Sequence, residues 1–138
     1  MKSQDKGIIS FNSYEVRKIE FKTNDKFDDS EVTMDVEMGA DVHVHENNRE
    51  MIVDLELLIF KESEKNNYPF EMNVIIRGYF KMDCESEDSI EKYDANAVAI
   101  LFPYARALVS TYTANANVAP LILPTVNVNE FIKRSKEQ

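Results

Sequence analysis

A few residue types along this chain could do chemistry, and their spacing limits what that chemistry would be. In "DVHVH", His43 and His45 stand at i and i+2, which on a strand aims both imidazoles from one face. Asp41 lies beside them, as ligands do in some metal sites. A polar outer strand face ending at the turn "HENN" accounts for the same three residues, and neither a fourth ligand nor a second shell can be assigned. Tyr104 and Arg106 have the character of a general acid and an anion binder, but no base partner accompanies them. Cys84 is the sole cysteine, so no intrachain disulfide can form and a reducing compartment is expected. No histidine flanks Cys84 to activate it, and it reads as a spectator thiol. The three glycines, Gly7, Gly39 and Gly78, cannot build a phosphate-cradling loop. The run "DCESEDSIEKYD" carries six acids and one lysine. It lacks the alternating oxygen ligands and turn glycine of a calcium loop, and reads as a solvated connector or first helical turn. The expectation is a protein that is not an enzyme and carries no cofactor.

Arg106 still needs a reason. It sits in "VAILFPYARALVST", where Pro103 interrupts an otherwise helix-compatible run. An interior proline removes a donor and clashes with the preceding turn, costing about 3 kcal/mol unless the helix bends. Ala97, Leu101, Ala105, Leu108 and Tyr112 share one face of that helix, and Val98, Phe102 and Val109 fill another. A helix apolar on most of its circumference is buried on several sides. One sheet covers one side, so a second copy of the chain is expected to cover the rest. Arg106 then finds carboxylates or carbonyls across that interface, or it contacts a partner.

The elements before the helix read as strands. In "EVTMDVEMGADVHVH", Val32, Met34, Val36, Met38, Ala40, Val42 and Val44 alternate with polar residues, the pattern of an antiparallel strand with one wet face. "REMIVDLELLIFKE" continues with Met51, Val53, Leu55, Leu57 and Ile59 in phase, and with Ile52, Leu58 and Phe60 in the other phase. "FEMNVIIRGYFKMD" repeats the alternation at Phe70, Met72, Val74, Ile76, Phe80 and Met82, after a loop, "SEKNNYP". In "ISFNSYEVRKIEFK" the phase changes midway; either a bulge near Arg17–Lys18 reconciles it or the segment faces two apolar layers.

The 138 residues suit a single domain over 1–138, with strands within about 8–83 and helices at about 90–114 and 129–136. The class is α+β: a four-stranded antiparallel sheet, a long proline-kinked helix, a crossover loop and a short C-terminal helix. A net charge of −9 excludes a nucleic-acid binder, which needs basic patches. No secretory signal opens the sequence, and its longest apolar run, about 13 residues, is short of the ~20 that cross a bilayer. A cytoplasmic protein without direct membrane insertion is expected. In "NVAPLILPTVNVNEFIKRSKEQ", Pro120 and Pro124 bracket an apolar "LIL" that cannot continue as regular structure. An apolar loop of this kind marks an interaction site. Asn127 or Asn129 caps the short helix that follows.

"ILFPYAR", Ile100 to Arg106, followed by "LPTVN", Leu123 to Asn127, resembles the SecB family of bacterial export chaperones. "YEVRKIEFK" and "NVIIRGYF" resemble that family's first and fourth strands, and the likeness spans Ile8 to Ile132. The resemblance implies a homotetramer, a dimer of dimers with the long helices sandwiched between two sheets and Leu101, Pro103, Tyr104, Arg106 and Leu108 at the interface. It further implies ATP-independent holding of unfolded preproteins in apolar grooves. Here those would be lined by Met34, Val36 and Met38 of the second strand, by Val118, Leu121, Ile122, Leu123 and Val126 of the crossover segment, and by Phe131 and Ile132. SecA is a further partner that the resemblance implies. At the positions facing it, however, the chain carries Lys18, Lys22, Glu71 and Asn73, and it ends in a basic "FIKRSKEQ" in place of an acidic tail. Some SecB-like proteins instead serve one antitoxin of a toxin–antitoxin module, and this is the alternative reading.

Overall fold

The alternating rows become the floor of a core. The structure is a computed structural model describing residues 8–45, 49–83 and 90–116. Strand β1 (Ile8–Thr23) is followed by β2 (Val36–His45), β3 (Glu50–Ile59), a single-turn helix α1 (Ser63–Asn66), β4 (Phe70–Asp83) and a long helix α2 (Ile90–Asn115). The strands form one antiparallel sheet in the order β1-β4-β3-β2, a Greek-key arrangement in which β2, β3 and β4 make a meander and β1 returns beside β4. Met51, Val53, Leu55, Leu57 and Ile59 are fully buried on one face of β3, and Phe70, Met72, Val74, Ile76 and Phe80 continue that layer on β4.

β1 is irregular twice. Its register against β4 shifts between Val16 and Lys18, where the sequence predicts a bulge, and again between Phe11 and Ser13. Together the two shifts bring Phe11, Tyr14, Val16, Ile19 and Phe21 opposite inner-face residues of β4, although their spacing follows no single parity.

Two expectations are corrected. The second strand begins at Val36, not Val32: Asp35 is diverted, its carbonyl accepting from Phe60 N at 2.9 Å and its carboxylate from the Tyr68 hydroxyl at 3.0 Å. Met34 therefore precedes the strand. Phe60 is buried within the core, not on the opposite face, because the chain turns through a left-handed residue there (φ 54°) and inverts the phase. In the core Phe60 packs edge-on to Phe70 and against Tyr68.

The link from β1 to β2 runs along one end of the sheet beside the β3–β4 connection, and Asn24 anchors it. Buried there, Asn24 donates from Nδ2 to the carbonyls of Ser63 (3.1 Å) and Tyr68 (2.9 Å). Its Oδ1 accepts from Lys26 N, and its backbone N–H donates to Pro69 O.

α2 packs chiefly on β1, β3 and β4. Ala97, Val98, Leu101, Phe102, Ala105, Val109 and Thr113 form its buried side, and the Thr113 hydroxyl donates back to Val109 O at 2.9 Å. Of the expected apolar face, Leu108 is half-buried and Tyr112 exposed. Pro103 lies inside the helix on its outer side. Ala99, whose carbonyl loses its helical donor to that proline, is also exposed, so water can serve the carbonyl. Among the described residues no helix is long and apolar enough to cross a membrane.

Candidate functional site

The outer face of the sheet is a polar ladder. Rows of cross-strand neighbours run Glu15–Arg77–Asp54–Asp41, then Ser13–Tyr79–Ile52–His43, then Ser10–Lys81–Glu50–His45. Arg77 is the centre of the first row. Its Nε and a terminal nitrogen donate to the two Asp54 oxygens at 2.7 and 2.9 Å, a bidentate pair less than a third exposed. That pairing holds the Asp54 carboxyl below the usual aspartate range, against the opposing effect of burial. The Tyr79 hydroxyl donates to Glu15, lowering the Glu15 carboxyl and raising the tyrosine.

His43 and His45 lie on this outer face, opposite Ile52 and Glu50. Among the described residues no three His, Cys, Asp or Glu side chains converge on a common point. Asp41 faces Asp54, which is already committed to Arg77. Cys84 lies outside the described residues.

Tyr104 meets rings, not a base. Its ring centroid is 4.7 Å from that of Tyr14 and 5.5 Å from that of Phe11, and Tyr112 leans over Phe21 in the same way. Arg106 is half-buried and makes no ion pair or side-chain hydrogen bond among the described residues. Leu101 is fully buried against this chain's own sheet, a correction to its expected place at an interface, because no surface of it is left for a second copy. Pro103 and Tyr104 keep outward surface and Leu108 is half-buried. Tyr14 (40%) and Val16 (46%) extend this exposed apolar area onto β1, although sequence reading singled out neither as a site. The bulged strand made their orientation unreadable.

Lys22, Glu71 and Asn73 line an open groove at β1 and β4, and Lys18 lies on the same outer face of β1 outside that lining. Lys22 stands opposite Glu71, and Lys18 pairs with Glu20 at 3.3 Å. Glu71 accepts from the Ser63 hydroxyl (2.8 Å), and Asn73 donates to Glu56 (2.7 Å). Glu20 and Glu56 thus join a cluster whose other members were named through the family resemblance.

On the inner face, Met34 is 39% exposed, Val36 is half-buried and Met38 is in the core opposite Leu57. Val42 and Val44 are also half-buried. Val118, Leu121, Ile122, Leu123, Val126, Phe131 and Ile132 lie outside the described residues, as does the expected C-terminal helix.

A four-stranded antiparallel sheet with one long helix on its inner face defines an α+β class, and the comparisons place the chain within it. Residues 9–138 match the family model described as preprotein translocase subunit SecB. The chain belongs to the SecB family. It is 33% identical over 140 residues to the uncharacterized protein MJ0357 of Methanocaldococcus jannaschii, covering 99% of this chain and 90% of that one. Its fold is similar to that of the Mycobacterium tuberculosis SecB-like chaperone Rv1957, solved with a peptide from the HigA1 antitoxin. That match has a TM-score of 0.68 and 16% identity and covers 86% of this chain and 90% of that one. A Streptococcus agalactiae protein of unknown function matches with a TM-score of 0.51 at 12% identity, over 86% of this chain and 98% of the other.

Proposed function

We propose that this SecB-family chain is an ATP-independent chaperone that holds unfolded polypeptides, preproteins among them, in apolar grooves and keeps them competent for translocation. The observation that carries the reading is the incomplete cover of the inner sheet face. α2 packs chiefly on β1, β3 and β4, while β2 keeps Val36, Val42 and Val44 half-buried with Met34 exposed just upstream. An unfolded client presents apolar side chains, and a groove of flexible apolar groups accepts many sequences. In this reading Met34, Val36 and Met38 line the groove, Val118, Leu121, Ile122, Leu123 and Val126 of the crossover segment would supply part of its floor, and Phe131 and Ile132 its opposite wall. The assembly is a homotetramer, with Pro103, Tyr104, Arg106 and Leu108 facing a second copy beside Tyr14 and Val16.

The outer face favours a second reading, a dedicated chaperone of one antitoxin. Lys18 and Lys22 occupy positions where export members present acids to SecA, and Glu71 and Asn73 are engaged by Ser63 and Glu56. The kinship in fold with an antitoxin-peptide complex supports the same reading.

Leu121→Asp or Leu123→Asp is expected to weaken suppression of client aggregation while the oligomer persists by light scattering; undiminished suppression by both variants rejects the groove. Mass spectrometry of what co-purifies with the tagged chain separates the two readings. Many unrelated preproteins indicate a general holdase; one dominant small partner encoded nearby indicates an antitoxin chaperone.

A further inference from the structure

Of the six methionines, five fall among the described residues, and they divide into two kinds. Met38, Met51, Met72 and Met82 are at most 9% exposed, whereas Met34 keeps 39% of its surface. A thioether is oxidised where a peroxide can reach its sulfur, so exposure sorts these side chains by reactivity. The fold fixes Met34 in its exposed place. The next residue, Asp35, is held twice, its carbonyl accepting from Phe60 N at 2.9 Å and its carboxylate from the Tyr68 hydroxyl at 3.0 Å. Phe60 is in turn buried in the core. Met34 is thus presented by an anchored segment, with Val32 equally exposed two residues before it and Val36 half-buried two residues after. β2 is the strand farthest from β1 in the sheet, so a second copy packed on Tyr14, Val16 and Tyr104 leaves Met34 open.

From these features we infer that Met34 is a reversible oxidation site, and that its sulfoxide turns down the capture of apolar client segments. This deepens the proposed holding function and rests on it. The oxidant is a hydroperoxide, in the simplest case hydrogen peroxide. A sulfur lone pair attacks one peroxide oxygen and the O–O bond breaks. The proton on the attacked oxygen passes to the departing hydroxide, giving sulfoxide and one water; the sulfur loses the two electrons that the peroxide gains. Two thiols of a sulfoxide reductase reverse the step, leaving the thioether, a disulfide on the reductase and water. With one cysteine the chain cannot close an intrachain disulfide of its own, which leaves the accessible thioether as its reversible two-electron redox group. Oxidation replaces a flexible apolar side chain, able to adapt to many partners, with a polar one that resists burial beside Val36. Met38 is shielded in the core and stays reduced, so the change falls on the rim of the groove and spares the fold.

The test treats the full-length protein with dilute hydrogen peroxide and places each added oxygen by fragment-ion mass spectrometry. Capture is followed in parallel by the anisotropy of fluorescein-labelled, carboxymethylated α-lactalbumin, a permanently unfolded probe. Oxygen is expected at Met34 ahead of Met38, Met51, Met72 and Met82. Capture by the wild type is expected to weaken by about tenfold, the contribution of one apolar side chain, and to return on treatment with methionine sulfoxide reductase. Met34→Leu, whatever its starting affinity, should bind equally before and after peroxide. Met1 and Cys84 remain oxidisable in both proteins, so that comparison isolates Met34. Oxygen arriving at Met34 no sooner than at the buried methionines overturns the site. Loss of capture in oxidised Met34→Leu to the same degree as in the wild type overturns the switch, as does unchanged capture by wild type carrying the Met34 sulfoxide. These failures differ from failure of the holding function. A wild type that binds the probe but ignores the sulfoxide keeps the chaperone and loses the switch; an untreated wild type that binds no probe loses both.

Discussion

A methyl group at Gly78 would lie 2.6 and 2.8 Å from the two terminal carbons of Leu101, and 2.8 Å from the Phe80 ring. Gly78 is therefore the seat of α2 on the sheet: its missing side chain lets the helix approach β4 closely. Gly78→Ala is expected to destabilise by about 1–3 kcal/mol through overpacking. Leu101→Ala should cost less in the Gly78→Ala background than in the wild type, because the cavity it leaves accepts the added methyl. Denaturant midpoints of the four proteins in this cycle supply the check; strictly additive costs reject the contact.

Asn24→Ala removes the donor shared by the Ser63 and Tyr68 carbonyls and leaves buried acceptors unsatisfied. The expected loss is about 2–3 kcal/mol in a urea melt. Hydrogen exchange should rise first at Tyr68 N–H, which bonds Ser63 O in the same turn.

Asp54 carries a pH prediction. Its folded pKa lies below its unfolded value because Arg77 pairs with the ionised form. That stabilisation is present above the unfolded value of about 3.9 and is lost as pH falls through the lower folded value. Asp54→Asn should flatten the acid limb of Tm against pH below about pH 4 and cost about 1 kcal/mol at pH 7. An unchanged acid limb would show that other carboxylates set it.

Ala107 faces outward on α2, close to Pro103. Ala107→Arg places a charge where the proposed tetramer packs helix on sheet, and light scattering should report a smaller species with unchanged far-ultraviolet circular dichroism. Retention of the wild-type mass would move the interface elsewhere.

Much of this was legible in the sequence wherever a local period decided the structure. The rows Met51–Ile59 and Phe70–Met82 and the long helix follow from alternation and helical spacing alone. Reading failed where one backbone angle or one nonlocal bond decided the outcome. Phe60 changes layer through a single left-handed residue, and Val32 and Met34 keep a strand's pattern but lose the strand because Asp35 is held by Phe60 and Tyr68. The strand order was equally hidden, since β1 bypasses its sequence neighbour to pair with β4. At the outer-face cluster, Lys18, Lys22, Glu71 and Asn73 were found through likeness to known strands, whereas Glu20 and Glu56 join them only once the register is known.

That bypass has a consequence for how the chain is made. β1 pairs with β4 from Thr23 with Phe70 to Ile8 with Asp83, partners 47 to 75 residues apart. A growing chain that emerges at about 5–20 residues per second leaves β1 without its partner for roughly 2–15 seconds. During that interval Phe11, Tyr14, Val16, Ile19 and Phe21 are themselves an unfolded apolar segment of the kind the proposed groove would hold. Under the proposed holding function, newborn copies would be clients of finished ones, so synthesis of the protein would draw on the holding capacity already present.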